Sequence, residues 1–116
     1  MSIIDNPELK KAVLNFRSVR DWDRFHTLRT LSVALAVEAT ELAEITQWTP
    51  DSELRQRSVE MRDKIEEEIA DICILLTYFV HDFGIDIDGV VKKKLVANGV
   101  KYPIDRFKGS FRKYNE

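Results

Sequence analysis

The chain has little of what several fold and function classes require. A single cysteine, Cys73, among 116 residues excludes an intramolecular disulfide framework and leaves no cysteine cluster for zinc. It implies a reducing compartment, the cytoplasm. Four glycines and three prolines are too few turn formers for an all-β sandwich or barrel. Neither sign of charge dominates: 18 Lys and Arg against 20 Asp and Glu give a formal charge of −2. A nucleic-acid polymer is therefore not the expected partner, because its binders carry a large basic excess. The longest apolar run, residues 72–80, is broken by Thr77, and a membrane span needs roughly 20 such residues. The opening MSIIDNPELKKAVLNF mixes acids and lysines into its apolar residues and does not read as a signal peptide. A soluble cytoplasmic chain with no membrane partner is expected.

What is present is enough to fold. Hydrophobic residues make up 44% and charged residues 33%, a balance that disfavours disorder. The length suits one domain over 1–116, since single cores usually occupy about 100–150 residues. Helical signals recur along it. Asn6-Pro7-Glu8 predicts a helix start, with Ala12, Val13 and Phe16 as its stripe. Leu31, Leu35, Leu42 and Ile45 predict a second helix over about 30–47, stopped at Thr49-Pro50. Ile65, Ile69, Ile72, Leu76 and Phe79 predict a third, ended by Gly84, and Asp86 or Asp88 caps a fourth reaching about Asn98-Gly99. The tail from Tyr102 reads as a loop or arm. The expected class is all-α, a four-helix bundle.

Acidic residues inside these apolar helices carry the functional signal. Glu38 and Glu41 lie three residues apart and share a helix face, and so do Glu68 and Asp71. The midpoint between the pairs falls near residue 54, in the turn region after Pro50. Folding the two helices back on each other therefore sets the pairs opposite one another. Converging carboxylates repel and are costly to desolvate. A divalent cation among them offsets that cost, and hard oxygen ligands select Mg²⁺ or Mn²⁺. Such a cation suits a phosphorylated substrate. The plainer reading is a pair of solvated helix faces.

The charge distribution points the same way. Residues 38–71 hold eleven acids and four bases, whereas residues 92–116 hold eight bases and two acids. A basic arm beside an acidic centre loaded with cation would grip a polyphosphate. Equally, the arm could neutralise the bundle or a neighbouring subunit. Trp22 and Trp48 offer flat indoles for stacking on a nucleobase, or serve as core or interface anchors. His26 could hydrogen-bond a base edge or be structural. A di-iron site is excluded, because the two E-x-x-H motifs it needs are missing. Cys73 sits among isoleucines as an inert core residue.

Several segments together resemble the MazG-like all-α nucleotide pyrophosphohydrolases, closest to their dCTP pyrophosphatase group. They are Arg20-Asp21-Trp22-Asp23-Arg24-Phe25-His26, Glu38-Ala39-Thr40-Glu41-Leu42-Ala43-Glu44, Gln47-Trp48, Glu67-Glu68-Ile69-Ala70-Asp71, Asn98-Gly99-Val100-Lys101-Tyr102-Pro103 and Gly109-Ser110 with Lys113-Tyr114. The resemblance runs from about Arg17 to the C-terminus. It implies Mg²⁺-dependent hydrolysis of a (deoxy)nucleoside triphosphate, dCTP or a related pyrimidine, to the monophosphate and pyrophosphate. Carried over by position, Glu38, Glu41, Glu68 and Asp71 hold the metal. Trp22, His26 and Trp48 line a base pocket, and Asn98, Lys101 and Tyr102 lie on the substrate or phosphate side. The general base is left unassigned. A homodimer or homotetramer completes the bundle. Two positions depart from the pattern: Val37 stands where many relatives have a second Glu, and Leu75 where the dCTP branch often has Tyr. Two other readings stay open: a non-catalytic helical oligomeric module, and a pyrophosphohydrolase of another phosphorylated metabolite.

Overall fold

A computed structural model describes residues 3–115. Among the described residues the chain is all-helical: α1 (Pro7–Ser18), α2 (Leu28–Glu44), α3 (Leu54–Glu60), α4 (Arg62–Asp82), α5 (Ile87–Lys101) and α6 (Ile104–Phe107). Single 3₁₀ turns at Asp23–Phe25 and Asp51–Glu53 lead into α2 and α3. None of these helices is long and apolar enough to cross a membrane.

Local chemistry sets the ends. The Asn6 side chain accepts from the Leu9 amide at 3.0 Å, with Pro7 next to it in the first turn. α2 starts two residues earlier than its apolar spacing suggests, because Thr27 and Thr30 form a reciprocal cap. Thr27 Oγ1 accepts from the Thr30 amide at 3.2 Å, and the Thr27 amide donates to Thr30 Oγ1 at 2.8 Å. It ends at Glu44, short of the expected Gln47. Arg57 Nε donates to the Ile45 carbonyl at 3.0 Å and satisfies that helix end from α3. Gly84, at φ +59°, closes α4. Asp86, rather than Asp88, caps α5 by accepting from the Gly89 amide. The tail contains one helical turn, α6, and folds Tyr102 edge-on against Phe107 and Tyr114.

The packed unit is α1, α2 and α4, with α3 against α4. α5 makes no comparable packing against this unit within the chain. The radius of gyration is 17.7 Å, against roughly 13 Å for a compact chain of this length. Two pairings show that α2 and α4 are antiparallel: the ring of His26, just before α2, lies against Tyr78, whereas Glu38 meets Glu68. Their contact follows alternating spacings of three and four residues, the pattern of a helix–helix seam. On α2 the seam positions are Leu31, Ala34, Glu38, Glu41 and Ile45; on α4 they are Glu68, Asp71, Leu75 and Tyr78. Leu31, Ile45 and Tyr78 are the buried apolar residues among those described.

Leu31 is 1% exposed and anchors the apolar end of that seam. Leu31→Ala should cost about 2–5 kcal/mol, the usual range for emptying a closed core site. Urea denaturation followed by circular dichroism measures it, and a cost near zero would show that the seam is not the core.

Candidate functional site

The acidic half of the seam brings three carboxylates together. Glu38, Glu41 and Glu68 each offer an oxygen, and all three atoms lie within 4.8 Å of one another. Helical spacing stacks Glu38 and Glu41 one turn apart on α2, and the antiparallel return of α4 delivers Glu68 between them. Glu68 is 2% exposed. Its Oε1 accepts from Lys64 Nζ at 2.9 Å, one turn earlier on α4. Oε2 of Glu68 and Oε2 of Glu38 are buried and meet no hydrogen-bond donor.

Electrostatics follow from that crowding. Glu38 is pushed up to about 7, first by its closeness to the Glu68 carboxylate. Burial and the charges of Glu41 and Asp71 push the same way. Glu68 is held below the ordinary carboxylate range, chiefly by the Lys64 ammonium. Two donorless buried carboxylate oxygens beside a third carboxylate make a hard, oxygen-rich set that suits a divalent cation. Asp71 does not join the three converging oxygens. It lies one turn beyond Glu68, exposed, at the mouth of the adjoining cavity.

That cavity measures about 470 Å³ and opens between α1, α2 and α4. It exists because the seam position facing Leu75 and Tyr78 is Ala34, whose side chain fills little space. Phe16 and Val13 of α1 form the opposite wall. Trp22 packs edge-on to Phe16 at a ring separation of 5.8 Å and lines the cavity with His26. Glu38 and Asp71 place the carboxylates at one end of an otherwise apolar, ring-sized space.

Other sequence-predicted residues lie elsewhere in the chain. Trp48 is 87% exposed in the turn after α2, over a shallow depression shared with Pro50, Glu53 and Arg57. It does not reach the cavity of its own chain. Asn98, Lys101 and Tyr102 sit at the end of α5, also outside the cavity lining. Lys101 Nζ lies 4.9 Å over the Tyr114 ring.

Sequence reasoning missed four residues. Lys64 carried a signal, since it precedes Glu68 by one helical turn. Tyr78 lies on the same stripe as Leu75 and Asp71. Arg17 and Asp82 carried none, because 65 residues separate partners that meet only in the fold. Arg17 Nη1 donates to Asp82 Oδ2 at 2.9 Å and Nη2 donates to Asp82 Oδ1. Asp23, in the connection before His26, places Oδ2 3.8 Å from Arg17 Nε.

Comparisons with known proteins place the chain among its relatives. The chain is 33% identical to dCTP pyrophosphatase 1 of Bos taurus and 32% identical to dCTP pyrophosphatase 1 of Homo sapiens. Each match covers 94% of this chain, which spans 65–66% of the length of those curated relatives. Its fold is similar to that of a pyrophosphatase from Archaeoglobus fulgidus, with a TM-score of 0.77 and 36% identity over 83% of this chain and 90% of that one. Residues 33–116 match the MazG-like family. That stretch is well over half of the chain and contains the four candidate carboxylates and the last four α-helices, so the chain belongs to the MazG-like family.

Proposed function

We propose that this chain is a Mg²⁺-dependent pyrophosphohydrolase of a (deoxy)nucleoside triphosphate, with dCTP or a related pyrimidine as substrate. Water cleaves the bond between the α and β phosphates, and the monophosphate and pyrophosphate leave. The observation that carries this reading is the adjacency of two donorless buried carboxylate oxygens to a largely apolar cavity of about 470 Å³, with room for a base and more. The names of the relatives, dCTP pyrophosphatase 1 and pyrophosphatase, support it.

Glu38, Glu41, Glu68 and Asp71 would hold the metal, with Mn²⁺ as an acceptable substitute. When bound, the ion neutralises phosphate charge and acidifies water. The chain's own residues supply the rest. Trp22 and Phe16 offer faces for a planar base. His26 meets its polar edge. Apolar walls exclude competing water, and the open end beside Asp71 leaves room for the phosphates.

A second copy completes the arrangement. α5 exposes Val90, Val91, Leu95, Val96 and Val100, more apolar surface than one helix usually leaves in water. Covering it in a homodimer or homotetramer supplies the fourth bundle helix. The same assembly would carry Trp48, Asn98, Lys101 and Tyr102 toward a neighbouring cavity. We take residues 1–116 as one domain and the cytoplasm as its location. A non-catalytic oligomeric module would also use the α5 face, but it has no use for buried carboxylates that lack donors.

A panel of nucleoside triphosphates with Mg²⁺, monitored for monophosphate and pyrophosphate, tests the assignment directly. Failure of every triphosphate to release pyrophosphate sinks it. Release from another phosphorylated metabolite instead would redirect it. Glu41→Gln should lower kcat on the order of 10²–10³-fold while leaving the far-ultraviolet circular dichroism unchanged. Wild-type turnover in that variant would remove Glu41 from the site.

Glu38 also makes the metal-free protein pH-sensitive. A carboxyl raised from its ordinary 4.5 to about 7 stabilises the fold fully below 4.5 and loses that contribution as pH rises through 7. In chelator, the melting temperature attributable to this group should therefore fall between about pH 5 and 8. Glu38→Gln should flatten the fall and melt higher than wild type at the alkaline end. Parallel profiles for the two proteins would contradict the raised Glu38 pKa.

A further inference from the structure

Arg17 takes no part in the proposed hydrolysis, yet it is 3% exposed. A buried guanidinium needs paired partners, and it has them. Asp82 binds it by two hydrogen bonds. Its Nη1 also lies 3.0 Å from His26 Nδ1. A guanidinium offers no lone pair and does not deprotonate, so Nδ1 is the acceptor. An imidazole nitrogen that accepts carries no proton, which places the ring proton on Nε2. The ring is held from its face as well. Tyr78 lies against it, tilted, with ring centroids 5.2 Å apart, carries the Arg17 guanidinium 4.5 Å over its own ring, and donates its hydroxyl to the Val13 carbonyl at 3.1 Å. The charged and titratable groups around His26 are thus Arg17 from α1, Asp23 from the connection, and Tyr78 and Asp82 from α4. Burial first, and the Arg17 charge second, hold His26 below its ordinary pKa against the opposing pull of Asp82 and Asp23.

We propose that Arg17 and Asp82 are positioning residues that lock His26 as the neutral Nε2–H form, so that the cavity selects a ring bearing a hydrogen-bond acceptor, such as a pyrimidine carbonyl. The inference rests on the cavity being the base site. It adds what the site demands of that base. A fixed uncharged donor rewards an acceptor and leaves an opposing amino group unsatisfied. Both clamp residues lie off the carboxylate cluster, and Arg17 and His26 precede the stretch matched to the family. The clamp therefore tunes the base end of the cavity without touching the metal end.

Nitrogen-15 NMR of the histidine rings in the full-length protein reads the tautomer without any turnover. His26 should show the Nε2–H pattern near neutral pH, and dCMP should shift that resonance while deoxyribose 5-phosphate does not. An Nδ1–H ring, a tautomer mixture, or equal shifts from both ligands overturns the proposal. Arg17→Met should release the ring into a mixture and raise KM for dCTP about five- to tenfold, the loss of one hydrogen bond, with kcat changed less than about twofold. Asp82→Asn should act in the same direction and stands in if the first variant fails to fold. An unchanged KM in a folded variant overturns the clamp. If wild type hydrolyses no nucleotide, the functional reading falls, and the ring spectra with dCMP decide the clamp alone.

Discussion

The molecule is organised around a repulsion. Glu38, Glu41 and Glu68 occupy seam positions between α2 and α4 that a plain helical pair would fill with leucine or isoleucine. On α2 the seven-residue steps Leu31, Glu38 and Ile45 run along one face, with a carboxylate in the middle and buried apolar residues at both ends. The two apolar anchors hold the helices together against the charge between them. Lys64 quiets part of that charge when no cation is bound, and the crowding raises the Glu38 pKa. The stability of the fold and the chemistry of the site therefore compete for the same few positions.

The antiparallel return sorts the seam into two halves. The second half of α2 faces the first half of α4, and both are acidic. The other halves face each other with Ala34, Leu75 and Tyr78. Because Ala34 is small, that apolar half does not close, and α1 with Trp22 walls off the space left over. One pairing thus yields an oxygen-rich end and a ring-sized end in direct continuity. A nucleotide has the same division of character, charge at one end and a flat ring at the other. Arg17 and Asp82 then fix the polar character of the ring-sized end from behind, through His26.

The acidic pairs were legible because helical spacing and a turn midpoint are local facts. The same arithmetic predicts facing, not distance, and Asp71 stands just outside the cluster for that reason. The cap at Thr27 was overlooked because threonine fills both of its positions. The break between α3 and α4 at Met61 has neither glycine nor proline to announce it. Trp48 is placed in a base pocket through the family resemblance, and within its own chain it is exposed in the turn after α2. Arg17 and Asp82 were invisible for a deeper reason. A pair joined across 65 residues has no periodicity, and only the packed helices bring it together.

Placing acids in the seam also bears on assembly. Each carboxylate there displaces an apolar side chain whose burial would stabilise the chain by about 1.5–3 kcal/mol. The described residues compensate little within one chain, where Leu31, Ile45 and Tyr78 alone form the buried apolar set. The apolar surface that could make up the difference lies on α5, apart from the packed unit. Burying it requires a partner surface of matching length, and a second copy of the same helix offers one. In this view the proposed oligomer and the proposed metal site share one cause. A seam given over to oxygen ligands leaves a small core for a lone chain, and the proposed second copy would recover the missing burial.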